Sequence, residues 1–396
     1  MASASSVRCG FGLAVLLATA SLAMASLGAS GAAPLMIVGN DEKVLWDDQG
    51  KVVLSPAGRD TVTIVDLADP ENPRIVATLP VKNSVVGPPV NVAIDPTGTL
   101  ALVADSLDVV QDGDTPRQVP DDKVHVIDLK SNPPKVMSTV TVGKQPSGLD
   151  INPKGDLALV ANRADNSISV LAIRGTEVTV TDTVAMGDSV AAVAFTSDGR
   201  RALAIKFPAH KVALLDVADG KVTYAKLDLP TGLWPYNVAV TPDGRLALTA
   251  DNGNAGASDG SVDTLSVVDL NVQPPRVIDR VVVGDGPEGL AISPRGDLAA
   301  AAILRGSNMK QAYFHNRNGS VAVLRIDGGR VSLIKDIEVG GLPEAVCFTP
   351  DGRYLYVGNY LDSDFSILRV DGSEVTDTGK RLKLSGHPAS ARISPR

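Results

Sequence analysis

The sequence predicts an all-β fold: a seven-bladed β-propeller with four antiparallel strands per blade and one split blade closed by the N- and C-terminal strands. Three observations predict it. A strand–turn motif recurs along the chain, each recurrence carries four short apolar strands, and the two ends supply complementary parts of one unit.

The motif is an apolar strand, a Pro-x-Gly turn and a second apolar strand. It reads Ala93-Ile94-Asp95-Pro96-Thr97-Gly98, then Asp150-Ile151-Asn152-Pro153-Lys154-Gly155, and Ala194-Phe195-Thr196-Ser197-Asp198-Gly199. It returns with Pro242, Pro294 and Pro350, and begins once more at Arg392-Ile393-Ser394-Pro395. The turn positions 96, 153, 197, 242, 294, 350 and 395 lie 57, 44, 45, 52, 56 and 45 residues apart. Proline presets φ for the turn and glycine accepts positive φ, so each copy is a hairpin with a local cause.

A second strand follows each turn, as in Leu157–Ala161 and Tyr354–Gly358. Third strands are β-branched and alternating: Val62–Leu67, Val124–Leu129, Ile168–Ile173, Val212–Val217, Leu265–Leu270, Val321–Ile326 and Phe365–Val370. Seven fourth strands complete the units, from Arg74–Val81 to Glu374–Leu384. At the N-terminal end, Leu35-Met36-Ile37-Val38-Gly39-Asn40 reads like the second strand Leu355-Tyr356-Val357-Gly358-Asn359, while the chain stops after a first strand and turn. The two tails therefore pair in one sheet, which removes two free edges.

Composition bounds the function. With 396 residues, 44% of them hydrophobic, the chain buries a large core and is not disordered. Its 37 basic against 45 acidic residues give a net charge of −8, which argues against a nucleic-acid partner because phosphate backbones are bound by neutralising them. Residues 1–33 have the layout of a secretory signal: Arg8, an apolar stretch from Phe11 to Leu27, and small-residue cleavage options between about 25 and 33. The expected mature domain is 34–396, periplasmic or secreted, with no membrane span and monomeric. Cys9 leaves with the signal and Cys347 stands alone, so no disulfide framework is expected.

Val160-Ala161-Asn162 with Ser167–Ile173, and Tyr356-Val357-Gly358-Asn359 with Ser366–Val370, resemble the signature of the YVTN-type seven-bladed propellers of bacterial cell envelopes. The resemblance covers nearly all of the mature chain and extends to lactonase-like propellers and to the large subunit of quinoprotein amine dehydrogenases. It implies the fold. It also implies two alternatives to a binding role: a lactonase-like hydrolase or isomerase, or a propeller subunit beside a periplasmic dehydrogenase.

In a propeller, the loops leading into first strands and those joining second to third strands share one face around the channel. Aligning the repeats puts Val90, Ser147, Ala191, Tyr236, Glu288, Glu344 and Ala389 in a ring at that mouth, with Trp234 and His387 just before two of them. Tyr236, Glu288, Glu344 and His387 fall on four successive blades. Glu288, Glu344 and His387 are the candidate catalytic groups, because two close carboxylates can separate their pKa values and imidazole titrates near neutrality. Tyr236, Trp234, Lys206, Arg163, Asn162, Asn359 and His210 are the candidate ligand-binding residues, the cations for an anionic group. The bland alternative is that the glutamates hold channel water and the loop histidines are simply solvated.

No cofactor is expected. Calcium has two candidate segments: Asp105–Asp122, read as a solvated acidic loop, and the Asn/Gly-rich Asp251–Asp263, which lacks the closing glutamate of an EF-type site. Gly-x-Ser-x-Gly, His-Glu-x-x-His and Cys-x-x-Cys-His are absent from the sequence. The length of Asp41–Asp60 suggests a lid or plug over the mouth. The leading expectation is thus a binding protein that presents the channel mouth to a small ligand or an envelope protein.

Overall fold

The computed structural model describes residues 1–6, 10, 33–56 and 58–395. The apolar stretch of the expected signal lies outside the described residues. The unit Met1–Ala32 has no regular secondary structure in its described residues, and Ala33–Arg396 is a separate compact unit.

Among the described residues of that second unit, the strands form seven four-stranded antiparallel sheets and one two-stranded hairpin. The split blade, blade 7, has the order Pro388–Ile393, Leu35–Asn40, Thr61–Asp66, Arg74–Leu79. Met36 faces Ile393, Ile37 faces Arg392 and Val38 faces Ala391. Ser394 locks the junction, its N–H donating to Leu35 O at 2.8 Å and its Oγ accepting from Leu35 N at 2.9 Å. Blades 1 to 6 begin with the strands Val92–Ile94, Pro146–Ile151, Val190–Phe195, Pro235–Val240, Pro287–Ile292 and Pro343–Phe348.

Alternation puts one side of each strand against the next blade. Leu157, Leu159 and Ala161 of blade 2 pack on Ala202, Ala204 and Val193 of blade 3, and the same pattern recurs around the ring. Each fully buried Val, Leu or Ile contributes about 1.5–3 kcal/mol over an exposed one, so the inter-blade layers are what hold the ring without disulfides. Innermost strands approach closely at the axis: a Cβ on Gly289 would overlap the carbonyl oxygen of Glu344, so this position requires glycine.

The signature asparagines have a structural task. Asn162 Nδ2 donates to Ser167 Oγ (3.1 Å) and Ser169 Oγ (2.9 Å), and Asn359 Nδ2 donates to Asp364 Oδ1 (2.7 Å) and Ser366 Oγ (3.0 Å). Asn40 does the same with Thr61 and Thr63, both at 3.0 Å. Each clasp ties the end of a second strand to the start of the third, which fixes the loop between them.

Two segments depart from or sharpen the sequence reading. Asp105–Asp122 is not a solvated loop: strands Leu100–Asp112 and Thr115–Asp128 continue through it as one long hairpin, with Leu107 opposite Pro120 and Asp112 opposite Thr115. Leu107 and Val109 are buried, and the two-residue turn is Gly113-Asp114 with φ +60° at Gly113. A Gly-Asp turn between two strands is a hairpin signal that the density of acids obscured. Asp41–Asp60 carries the second hairpin, Val44–Trp46 paired with Val52–Leu54.

Candidate functional site

The first strands start at the channel mouth, so their leading residues point into it. Tyr236, Glu288 and Glu344, from blades 4, 5 and 6, line a cavity of about 450 Å³ together with Arg163 from the loop after the second strand of blade 2. Asn308, from the long loop of blade 5, and Gln118, from the blade 1 hairpin, add polar groups. The apolar walls come from Val44, Trp46, Val52 and Leu54 of the 44–54 hairpin, with Val85, Val86 and Leu342. That hairpin is thus a lid, as the length of its segment suggested.

Glu288 and Glu344 are buried, 4% and 2% exposed, and their carboxyls interact. Burial pushes Glu288 up to about 7, against the opposing pull of the Glu344 hydrogen bond and the Arg163 charge. Burial also drives Glu344 well above the usual carboxyl range, and the neighbouring Glu288 charge and hydrogen bond raise it further. Two interacting buried carboxyls titrate as a pair, and burial favours the neutral form of both. Asn252 Nδ2 donates to Glu288 Oε1 (3.3 Å) and Asn237 Nδ2 to Glu288 O (3.3 Å). Asn252 Oδ1 also receives Gly256 N at 2.7 Å, which brings Ala255 and Gly256 to the cavity edge.

Arg163 is held from the side by aromatic rings. Its guanidinium lies 4.6 Å from the Phe207 ring centroid and 5.8 Å from that of Tyr236, and no carboxylate within 4.0 Å neutralises it among the described residues. Tyr236 is buried, and burial keeps its hydroxyl protonated far above the usual range. Around the cavity, Nη1 of Arg163, Oδ1 of Asn308 and Oε2 of Glu344 are buried without a hydrogen-bond partner among the described residues. Among the described residues such atoms also occur away from this cavity, including both carboxylate oxygens of Asp105 and both side-chain polar atoms of Asn83.

Several sequence candidates stand elsewhere. His387 is not with the glutamates: its ring stacks on Tyr360 (centroids 5.0 Å apart), and its Nδ1 lies 2.7 Å from Tyr360 O and 3.2 Å from Ser363 Oγ. Its backbone carbonyl receives Asp41 N at 3.0 Å, so the residue braces the base of the lid. Lys206 is fully engaged by Asp228 (2.9 Å), Tyr224 Oη (2.8 Å) and Asp188 (3.4 Å). Asn162 and Asn359 are the clasps described above. His210 accepts Trp234 N at Nδ1 (2.9 Å) and packs edge-on against the Trp234 ring. Trp234 in turn lies 5.7 Å from Phe207, so the pair backs the Arg163 platform and does not line the cavity.

Sequence reasoning missed Phe207, Asn252 and Asn308. Phe207 directly follows Lys206 at a second-strand end, a position the repeat alignment marks as mouth-facing; the two asparagines carry no comparable signal. For calcium, no group of three His, Cys, Asp or Glu with metal-holding geometry occurs among the described residues. Acids of 105–122 pair with cations, Asp112 with Arg117 at 2.8 Å and Asp122 with Lys144 at 2.5 Å, whereas both carboxylate oxygens of buried Asp105 have no hydrogen-bond partner among the described residues.

Fold and site together define a seven-bladed propeller with a ligand-sized cavity at its channel mouth. Residues 282–388 match the family described as Lactonase, 7-bladed beta-propeller. The chain is similar in structure to a putative 6-phosphogluconolactonase from Bacteroides uniformis, with 12% identity, TM-score 0.69, and 91% of this chain and 99% of that one covered. It is likewise similar to the periplasmic gluconolactonase of Pseudomonas aeruginosa, with 17% identity, TM-score 0.65, and coverage of 91% and 99%. In sequence it is 25% identical over 183 residues to hydrazine synthase subunit beta of Kuenenia stuttgartiensis, across 41% of this chain and 47% of that protein. The aligned region thus spans less than half of that curated relative. The hydrazine synthase structure from the same organism matches with TM-score 0.61 and 18% identity over 80% of this chain and 92% of that one. Among the described residues no helix is long and apolar enough to cross a membrane.

Proposed function

We propose that the protein binds a small hydroxylated carboxylic acid, or its lactone, in the channel-mouth cavity. The observation that carries this reading is that Arg163, Asn308 and Glu344, each with a buried polar atom lacking a hydrogen-bond partner among the described residues, line one cavity. The guanidinium would take a carboxylate or polarised carbonyl oxygen, Asn308 would accept a ligand hydroxyl, and the protonated Glu344 would donate to another. Apolar lid residues would cover the carbon skeleton. A thermal-shift titration of purified protein with gluconate, glucono-δ-lactone and uncharged sorbitol tests it. Gluconate or the lactone should raise the melting temperature by mass action, and Arg163→Met should abolish the rise. No shift with either compound at millimolar concentration would overturn the reading.

A second reading, a lactone hydrolase, is favoured by one observation: two buried, interacting carboxyls, Glu288 and Glu344, line the cavity, where burial raises both above the usual carboxyl range. Ionised Glu288 would take a proton from attacking water while Arg163 stabilised the developing oxyanion, and Glu344 would donate to the departing ring oxygen. His387 has no part in this scheme, because its ring is committed beneath the lid. Loss of glucono-δ-lactone hydrolysis in Glu288→Gln with binding retained would select this reading over simple binding. A subunit role draws on the hydrazine synthase similarity alone and would be tested by co-purification from cell extract. Residues 1–33 motivate the proposal that the protein is exported, which N-terminal sequencing of the protein from the periplasmic fraction would check.

A further inference from the structure

The lid is tied down very unevenly. At its base, Lys43 is buried between Asp41 and Asp60: its Nζ lies 3.5 Å from Asp41 Oδ1 and hydrogen-bonds to Asp60 and to Asn83 O. Asp41 Oδ2 accepts Val85 N at 2.7 Å, and Glu42 N donates to Asp60 Oδ1 at 2.8 Å. Tyr360 Oη sits 3.0 Å from Asp41 O and 2.7 Å from Val44 O, with its ring edge-on to Trp46 at 5.7 Å. Ser55 N closes the base by donating to Lys43 O at 2.8 Å.

At the tip the ties are few and wet. Asp47 stabilises the turn itself, accepting Gln49 N and Lys51 N at 2.9 Å each. Among the described residues its polar contacts to the rest of the fold are Lys310 Nζ to Asp47 O (3.3 Å) and Asp48 O (3.2 Å), and Gln311 Nε2 to Gln49 O (3.1 Å). Gly50, at φ +77°, lets the turn rest on Lys310: a Cβ there would stand 2.7 Å from Lys310 Cβ. Exposed hydrogen bonds exchange for water at little net cost, whereas a buried charge cluster does not come apart without exposing uncompensated ions.

We propose that Val44–Leu54 is a gate on the cavity, hinged at the Lys43–Ser55 base and latched at its tip by Lys310 and Gln311. The proposal names the regulation of the ligand site and rests on that reading for its purpose, though its geometry does not. Release of the latch swings Val52 and the tip off the cavity and parts Trp46 from Tyr360, while the Lys43 cluster and its hydrogen bonds stay folded. Because the latch holds backbone carbonyls, it does not depend on which side chains the tip carries, apart from Gly50.

The test needs no ligand. The chain has two tryptophans, so Trp234→Phe leaves Trp46 as the reporter. In that background, Lys310→Ala/Gln311→Ala should raise the acrylamide quenching constant of Trp46 at least twofold. In the double variant with both tryptophans present, amide exchange across residues 44–54 should accelerate about tenfold, while the strand Thr61–Asp66 keeps its protection. Unchanged quenching and exchange would overturn the latch. Faster exchange spreading equally into Thr61–Asp66 would overturn the hinge. If the latch behaves as expected while gluconate and its lactone never shift the melting temperature, the gate stands and the ligand reading falls.

Discussion

Two groups of buried acids face the same end of the propeller, and they differ in what surrounds them. Asp41 and Asp60 are closed around Lys43, whose ammonium burial pulls down and the two carboxylates hold above its usual range. Among the described residues Glu288 and Glu344 have no cation within 4.0 Å; they interact with each other, Glu288 accepts from Asn252, and they border a cavity. Burial is almost the same in the two groups. Unmatched polar atoms lie beside both groups, at Asn83 and Asp105 near Lys43 as well. What separates the site from the structural cluster is therefore the open cavity that Glu288 and Glu344 border.

The comparison is most easily broken at Lys43. Lys43→Met should cost about 3–5 kcal/mol, because it leaves two carboxylates buried without their cation. Urea unfolding of the variant measures this, and a loss below about 1 kcal/mol would mean that the cluster is solvated after all.

Second in size is a pH effect at the other group. Glu288 binds its proton more tightly folded than unfolded, so the folded state gains from it at low pH and loses that gain as pH rises from about 4.5 to about 7. The wild type should lose on the order of 2 kcal/mol more stability than Glu288→Gln between pH 5 and pH 8, as read from urea midpoints at both values. Equal slopes would show that the pair does not titrate in this range.

Smaller effects sharpen the picture. Asn359→Ala, which cuts a clasp to Asp364 and Ser366, should cost about 1–2 kcal/mol without changing any ligand response. That result would separate the signature asparagines from the cavity. Phe207→Leu should cost under about 1 kcal/mol in stability, the worth of one cation–π contact, yet weaken gluconate binding severalfold by freeing Arg163. Isothermal titration against wild type reads that difference, and unchanged affinity would leave Phe207 a packing residue only.

Much of this was legible in advance. Turn chemistry and two-residue alternation are local properties, so the blades, the split-blade closure and the ring of Tyr236, Glu288 and Glu344 could be read by counting. The Asp105–Asp122 hairpin was legible too, through Gly113-Asp114, but its acids suggested solvent or calcium. His387 shared a blade face with the glutamates yet belongs with Tyr360, a choice made by stacking between ring planes. Lys206 looked available until Asp228 and Tyr224, on the outermost strand of its blade and two strands away, were found to occupy it.

The order of residues alone therefore determined the ring and which side chains reach its mouth, since strand period and turns are set within a few residues. Only the tertiary structure decided which of those side chains are already matched. Their partners come from loops far along the chain, as when Tyr360 meets Asp41 across 319 positions, and such meetings depend on how the blades close around the axis.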